Sequence, residues 1–181
     1  GIQDAKILLS VGEISKRKNH KIVIECLPKL SENIHYVIIG EGSLKNELER
    51  LSINLGVSNR VHFLGYKNNV IEYMKASDIF VFPSLQEGLP VALMEAMASG
   101  LPCIVSDIRG NKDLIEDGIN GYTFEIGNNF DLDYLSKCIK ELLDDKNLRN
   151  SFSIASIEKS MKFSKKIVGK QMLEIYNFFN D

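Results

Sequence analysis

DIFVFPSLQEGLPVALMEAMASGLPCIVSD, residues 78–107, holds two apolar runs, 78–83 and 102–107, with a small-residue helical stretch between them. The runs read as strands. Residues 90–99 read as a helix that starts at Pro90, a residue favoured at the first helical position, and stops at Gly100. Strand, helix and strand in that order make a crossover between parallel strands. Ala92, Ala96, Ala98 and Gly100 let this helix pack closely on its neighbours.

The same alternation fills residues 6–124. KILLSVG at 6–12, HYVIIG at 35–40, VHFLG at 61–65 and GYTF at 121–124 are further strand-like runs. Several are almost wholly apolar, as strands buried on both faces are. Residues 18–30 place Ile22, Val23, Cys26 and Leu27 at helical spacing, 43–55 do the same with Leu44, Leu48, Leu51 and Leu55, and 69–76 and 111–117 are shorter helical stretches. The series predicts an α/β fold, a doubly wound parallel six-stranded sheet with helices on both faces.

The last third changes character. Residues 131–144, 148–161 and 163–179 read as consecutive helices, the last with Ile167, Val168, Met172, Ile175 and Tyr176 at helical spacing. This helical tail, residues 130–181, needs a surface to pack on, part of it expected on another domain. At 181 residues and 44% hydrophobic, the chain has room for one buried core and not for two large domains, so residues 1–181 read as a single domain. It begins almost directly on its first strand, which points to a fragment.

A formal charge of −2 lacks the cationic excess of a nucleic-acid binder, despite the local KRK at 16–18. Cys26, Cys103 and Cys138 are odd in number, widely spaced and set in apolar contexts, which argues against a disulfide framework or zinc site and fits a reducing cytoplasm. No apolar run reaches the roughly 18–20 residues of a membrane span, and no signal-peptide pattern precedes the first strand.

In open parallel sheets ligands bind beyond the carboxyl ends of the strands, so the loops after the strands are the candidate site. The first is GEISKRKNH, in which Gly12 precedes Lys16, Arg17 and Lys18 at an expected helix start, a place that suits an anion such as phosphate. Lys16 and Arg17 read as solvated. The second, GEGSL, has Gly40 and Gly42 but no third glycine, so it reads as a strand-to-helix turn with Ser43 as N-cap. The third, GYKNN, offers Gly65 and Tyr66 and backbone groups to a base. The fourth carries Glu87, then Gly88, where backbone can approach a ligand, then the N–H groups of Leu89 and Val91 at the helix mouth, with Glu95 about one and a half turns further on. Two carboxylates so spaced can hold opposite ends of one ligand, and a molecule with many hydroxyls around a central diphosphate is a nucleotide-sugar.

EGLPVALMEAMASGLPCIVSD, with seven residues between Glu87 and Glu95, resembles the signature of retaining glycosyltransferases of the GT-B fold, the large "glycosyl transferases group 1" family, in its capsular and surface-polysaccharide branch. SVGEISKRKNHKIVIECLPKL, YVIIGEGSLKNELERL, VHFLGYKNNVIEYMKASDIFVFPS, EDGINGYTF and FSKKIVGKQMLEIY fall in the family's order, so the resemblance covers nearly the whole chain. It implies a Rossmann-like domain, the C-terminal, donor-binding half of an enzyme whose N-terminal acceptor half is absent here. Glu87 would hydrogen-bond the donor sugar near the reacting centre, and Glu95 the ribose hydroxyls. Gly88, Leu89 and Val91 would offer N–H groups to the sugar and distal phosphate, and Lys18 would stabilise the departing diphosphate. Gly12, Gly40, Gly42, Gly65 and Tyr66 would line the nucleotide. The implied reaction is metal-independent hexosyl transfer from a nucleotide-diphosphate sugar, commonly a UDP-sugar, to a glycan or lipid-linked acceptor, in a cytoplasmic protein with possible peripheral membrane association when complete. By itself the chain is expected to bind donor and turn over little.

One position departs from the pattern. Many members carry arginine after the first-loop glycine, where this chain has Glu13, which leaves Lys18, with Lys16 or Arg17 in support, to neutralise the diphosphate. Two alternatives stay open: a catalytically silent binding or assembly domain, and a nucleotide-sugar 2-epimerase half, which the Glu87–Glu95 spacing disfavours. Asp131 and Asp133 form a D-x-D but read as charges at a helix start, so no metal is implied. His20, His35 and His62 lack ligand spacing and read as structural, with His20 the strongest exception because it flanks Lys18. Cys103 reads as a small core residue, and Glu41 and Asp107 as solvated turn residues.

Overall fold

The computed structural model describes residues 4–180. Strands β1 (Lys6–Val11), β2 (Ile34–Ile39), β3 (Val61–Phe63), β4 (Ile79–Phe82), β5 (Cys103–Ser106) and β6 (Gly121–Phe124) form one sheet in the order 3-2-1-4-5-6. Every pairing is parallel. Helices α1 (Lys21–Cys26), α2 (Lys45–Asn54), α3 (Val70–Lys75), α4 (Val91–Ala98) and α5 (Arg109–Lys112) lie in the five successive crossovers. Strand order reverses between β1 and β4, and that reversal opens a crevice at the carboxyl ends of these two strands.

Alternation along each strand builds two cores. Leu8, Tyr36, Ile38, Ile79, Val81 and Ile104 face one side, where Val23 of α1, Leu27 just after it, Leu48 of α2, and Ile139 and Leu142 of α6 (Leu132–Asp144) cover them. Leu9, Ile39, Phe80, Phe82, Cys103 and Val105 face the other side, under Met74 of α3, Leu93 and Met97 of α4, and Leu114 and Ile115 after α5. Neighbours in sequence fall on opposite faces because successive strand side chains point opposite ways. Both layers are largely apolar, which explains the nearly unbroken hydrophobic runs that mark β4 and β5.

Helix boundaries depart from the sequence reading where loop contacts intervene. Residues 18–30 are not one helix: a 3₁₀ turn at Lys16–Lys18 ends in left-handed Asn19 (φ 53°), α1 follows, and Pro28 sits in a second 3₁₀ turn at Leu27–Lys29. The three basic residues are therefore not at the start of an α-helix, and their charge acts through the side chains. Ser43 does not cap α2; Leu44 is the cap residue, its N–H bonded to Ile14 O (3.2 Å). Pro90 stands one place before α4, as its cap residue. The helix expected at 111–117 lies earlier and is shorter: α5 spans Arg109–Lys112, and residues 113–117 are not helical. Asp131 caps α6 through Asp133 N–H, and Asp145 caps α7 (Lys146–Met161) through Asn147 and Leu148 N–H.

The tail is helical as expected. α7 packs against the end of α4, where a Cβ at Gly100 would lie 2.7 Å from Ser153 Oγ. The last helix, α8 (Lys165–Asn180), leaves Met172, Leu173, Ile175 and Tyr176 exposed. No helix among the described residues is long and apolar enough to cross a membrane.

Candidate functional site

The loops after β1, β2 and β3 are stitched into one platform by backbone hydrogen bonds. Gly12 N–H donates to Ile39 O (2.9 Å), Ile14 N–H to Glu41 O (2.8 Å) and Gly40 N–H to Gly65 O (2.9 Å). The approach is close enough to dictate the residue type: a Cβ on Gly40 would stand 1.9 Å from Gly12 O, and one on Gly42 2.2 Å from Ile14 O. The glycines of GEGSL thus have a packing reason that needs no ligand. They also bring Gly12, Gly40, Gly42 and Gly65 to one edge of the crevice, with Tyr66 beside them 76% exposed.

Across the switch point the fourth loop meets the first. Lys18 Nζ lies 2.7 Å from Glu87 Oε1, and both side chains are nearly buried, 11% and 6% exposed. The lysine stem runs over Gly12, and its ammonium sits 4.4 Å from the Phe82 ring centroid, a cation–π contact that further offsets desolvation. Such a pair persists in low dielectric only when each charge has close partners. Arg17 is one of them: its Nη1 donates to Glu87 Oε1 (3.1 Å) and to Gln86 O (3.1 Å), while its own carbonyl accepts from Leu85 N–H (2.7 Å). The reading of Arg17 as solvated is corrected here, because strand order lays the β1 loop against the β4 loop. Lys16 is exposed and points elsewhere, lining a pocket of about 410 Å³ with Leu44, Glu47 and Leu48.

The fourth loop is held from below. A Cβ on Gly110 would lie 2.8 Å from Glu87 O and 3.1 Å from Gly88 O, so only glycine lets α5 press against the loop. Buried Asn111 donates from Nδ2 to Ser106 O (3.0 Å) and Oγ (3.1 Å), and Ser106 Oγ donates to Ser84 O (2.5 Å). Sequence reasoning passed over Gly110, Asn111 and Ser106; the one available signal was a glycine in the loop region that follows the fifth strand.

At the mouth of α4 the expected donors divide. Val91 N–H is taken by Leu89 O (2.9 Å) in a tight turn around Pro90, and is not free for a ligand here. Gly88, Leu89 and Ala92 keep N–H groups without a partner among the described hydrogen bonds, so Ala92 replaces Val91 as an available donor. Gly88 and Leu89 are exposed, with nothing within 4 Å of a Cβ built on Gly88. Glu95 is exposed on α4, and four helical rises set it about 6 Å along the axis from Val91. No described contact joins it to the Lys18–Glu87 pair.

The histidines, the cysteines and Asp133 lie in contacts away from the Lys18–Glu87 pair. His20 is buried, with Nδ1 2.9 Å from Tyr36 Oη and Nε2 3.3 Å from the Glu13 carbonyl, while Ser10 Oγ donates to Val81 O. Burial lowers its pKa from 6.5 to about 4, against the raising effect of the Glu13 carbonyl and with some help from Lys18. Because the folded value is depressed, the unfolded chain binds the extra proton: the stabilisation is complete above pH 6.5 and is lost as pH falls toward 4. The loss should total on the order of 3 kcal/mol. Urea denaturation across that window should show wild type weakening more steeply than His20→Gln; parallel curves would remove His20 as the cause. His35, stacked on His62 with Nδ1 and Nε2 3.0 Å apart, is also shifted down by burial and adds in the same direction. The three cysteines are free and buried, and burial pushes Cys26 up to about 12 and Cys138 up to about 11. Asp133 pairs with Lys29 Nζ (2.6 Å), and no group of three or more His, Cys, Asp or Glu among the described residues is placed to hold a metal ion.

Residues 1–159 match the model of the family described as "Glycosyl transferases group 1". The chain belongs to that family. An Escherichia coli group 1 relative, UDP-Gal:alpha-D-GlcNAc-diphosphoundecaprenol alpha-1,3-galactosyltransferase, is 35% identical over 78% of this chain and 38% of its own length. Among solved glycosyltransferases, WaaG, involved in lipopolysaccharide biosynthesis, superposes with a TM-score of 0.79 at 28% identity, over 87% of this chain and 43% of WaaG. S. aureus TarM, a mutant of which was solved in complex with UDP among other ligands, gives a TM-score of 0.87 at 25% identity, over 96% of this chain and 36% of that one. The Rossmann-like sheet is that of GT-B glycosyltransferases, and the chain spans less than half the length of each of these relatives.

Proposed function

We propose that this chain is the C-terminal, donor-binding half of a retaining glycosyltransferase that moves a hexosyl group from a nucleotide-diphosphate sugar to a glycan or lipid-linked acceptor without a metal. The observation that carries this reading is the meeting of Lys18 and Glu87 at the switch point, 2.7 Å apart, between the platform of glycine loops and the mouth of α4. Lys18 supplies positive charge where the departing diphosphate gains negative charge. Glu87, with Oε2 unpaired among the described hydrogen bonds, accepts from hydroxyls of the transferred sugar and orients its anomeric carbon. Glu95 accepts from the ribose hydroxyls, the N–H groups of Gly88, Leu89 and Ala92 bind sugar and distal phosphate, and Gly40, Gly42, Gly65 and Tyr66 border the base. The E. coli relative's named UDP-sugar and diphosphoundecaprenol-linked acceptor support both substrate classes. The N-terminal half of the longer protein supplies the acceptor site and any contact with a membrane surface.

Exposed Glu13, in the loop that would face the diphosphate, favours a second reading in which the fold is kept for assembly without turnover. Calorimetric titration with UDP, GDP and ADP, with and without chelator, separates the two. One nucleotide should bind equally well in both conditions, and Glu95→Ala should weaken it about ten- to a hundredfold through loss of a charged hydrogen bond. Absence of binding by all three would sink the donor-site reading for this chain; unchanged affinity in Glu95→Ala would sink the ribose assignment.

A further inference from the structure

Charge at the switch point is net negative unless Arg17 is counted. Glu87 and Glu13 place two carboxylates on the facing loops, and Lys18 supplies one ammonium already engaged by Glu87. A diphosphate entering that arrangement would meet a net negative charge. Arg17 cancels that charge with a guanidinium held by two hydrogen bonds from Nη1 to the Gln86–Glu87 segment, while its backbone carbonyl accepts from Leu85 N–H. Both Nη1 protons are used there, while Nε and Nη2 have no partner among the described hydrogen bonds, leaving three N–H donors. The side chain is 45% exposed, open to a ligand in the crevice. Lys16, the other cation of the loop, lines the pocket on the α2 side and makes no described bond to the fourth loop.

We infer that Arg17 is a donor-binding residue, which grips the diphosphate with the free edge of its guanidinium while Nη1 holds Glu87, and so does the work that Glu13 does not do. This rests on the donor-binding reading above. A guanidinium suits both tasks at once because its planar fork pairs with two acceptors in fixed geometry, which a lysine ammonium does not.

The test is calorimetric titration of the chain with UDP and GDP and with uridine and guanosine, on wild type, Arg17→Ala, Arg17→Lys, Lys16→Ala and the double variant Glu13→Arg/Arg17→Ala. The nucleoside diphosphate that wild type binds should weaken by about tenfold or more in Arg17→Ala, its nucleoside and the Lys16→Ala control should stay within about twofold, and Arg17→Lys should fall between. Arginine at position 13, which adds positive charge to the same loop, should restore part of the loss of diphosphate affinity and leave the nucleoside unchanged. Diphosphate affinity unchanged in Arg17→Ala, or diphosphate and nucleoside weakened equally, overturns the inference and leaves the donor site standing. Binding of no nucleotide by wild type overturns both.

Discussion

Lys18→Ala is expected to weaken binding of the cognate nucleoside diphosphate by about a hundredfold while leaving its nucleoside within about twofold. Two effects add. The charged donor that faces the diphosphate is lost, and Glu87, whose side chain is 6% exposed, loses its closest partner and stands as a less compensated carboxylate beside the incoming anion. Arg17 still reaches Glu87 Oε1 at 3.1 Å, so the fold should survive, with a drop in stability below the roughly 3–5 kcal/mol of a buried pair broken outright. Calorimetry with diphosphate and nucleoside in parallel, and a denaturation curve of the same variant, give both numbers. Equal weakening of the two ligands would move Lys18 from the diphosphate to the nucleoside or to the fold.

Gly40→Ala should be the most damaging single change to the platform, costing roughly 4 kcal/mol or more and abolishing nucleotide binding with it. The added Cβ would lie 1.9 Å from Gly12 O and 2.8 Å from Gly12 C, both backbone atoms that cannot swing aside. At φ +143° the residue also occupies a conformation side chains disfavour. Relief would require separating the β1 and β2 loops, breaking the bonds that join Gly12 to Ile39 and Ile14 to Glu41. Gly88→Ala is the control: nothing lies within 4 Å of its Cβ, and stability should stay within about 0.5 kcal/mol. Urea midpoints of the two variants decide the matter, and equal midpoints would remove the close-approach account of Gly40.

Legibility followed the range of the forces involved. Strand runs and helix faces are local patterns, so all six strands appear within a residue or two of their expected places, as does the start of α6 at Asp131. Errors collected where backbone groups found partners, near or far, that residue spacing does not reveal. Ser43 lost its cap role because Leu44 N–H bonds Ile14 O across two loops, and Val91 lost its free N–H to a turn whose shape Pro90 sets. Helix 18–30 broke at Asn19 and Pro28 for backbone reasons that residue spacing did not weigh. Lys18 and Glu87 were each marked by chemistry and family pattern, yet nothing local showed that they touch.

From the sequence alone came the α/β class, the six strands, the loops that carry the candidate site and the family, because periodicity and motif spacing are written along the chain. Tertiary structure alone decided that β1 lies beside β4, and everything that follows from that neighbourhood. It pairs Lys18 with Glu87 across 69 residues of sequence, turns Arg17 from a solvated charge into a clasp on the fourth loop, and sets Gly110 beneath it. The physical reason is that hydrophobic patterning specifies which segments are buried strands, whereas the order of strands in the sheet determines which loop ends meet.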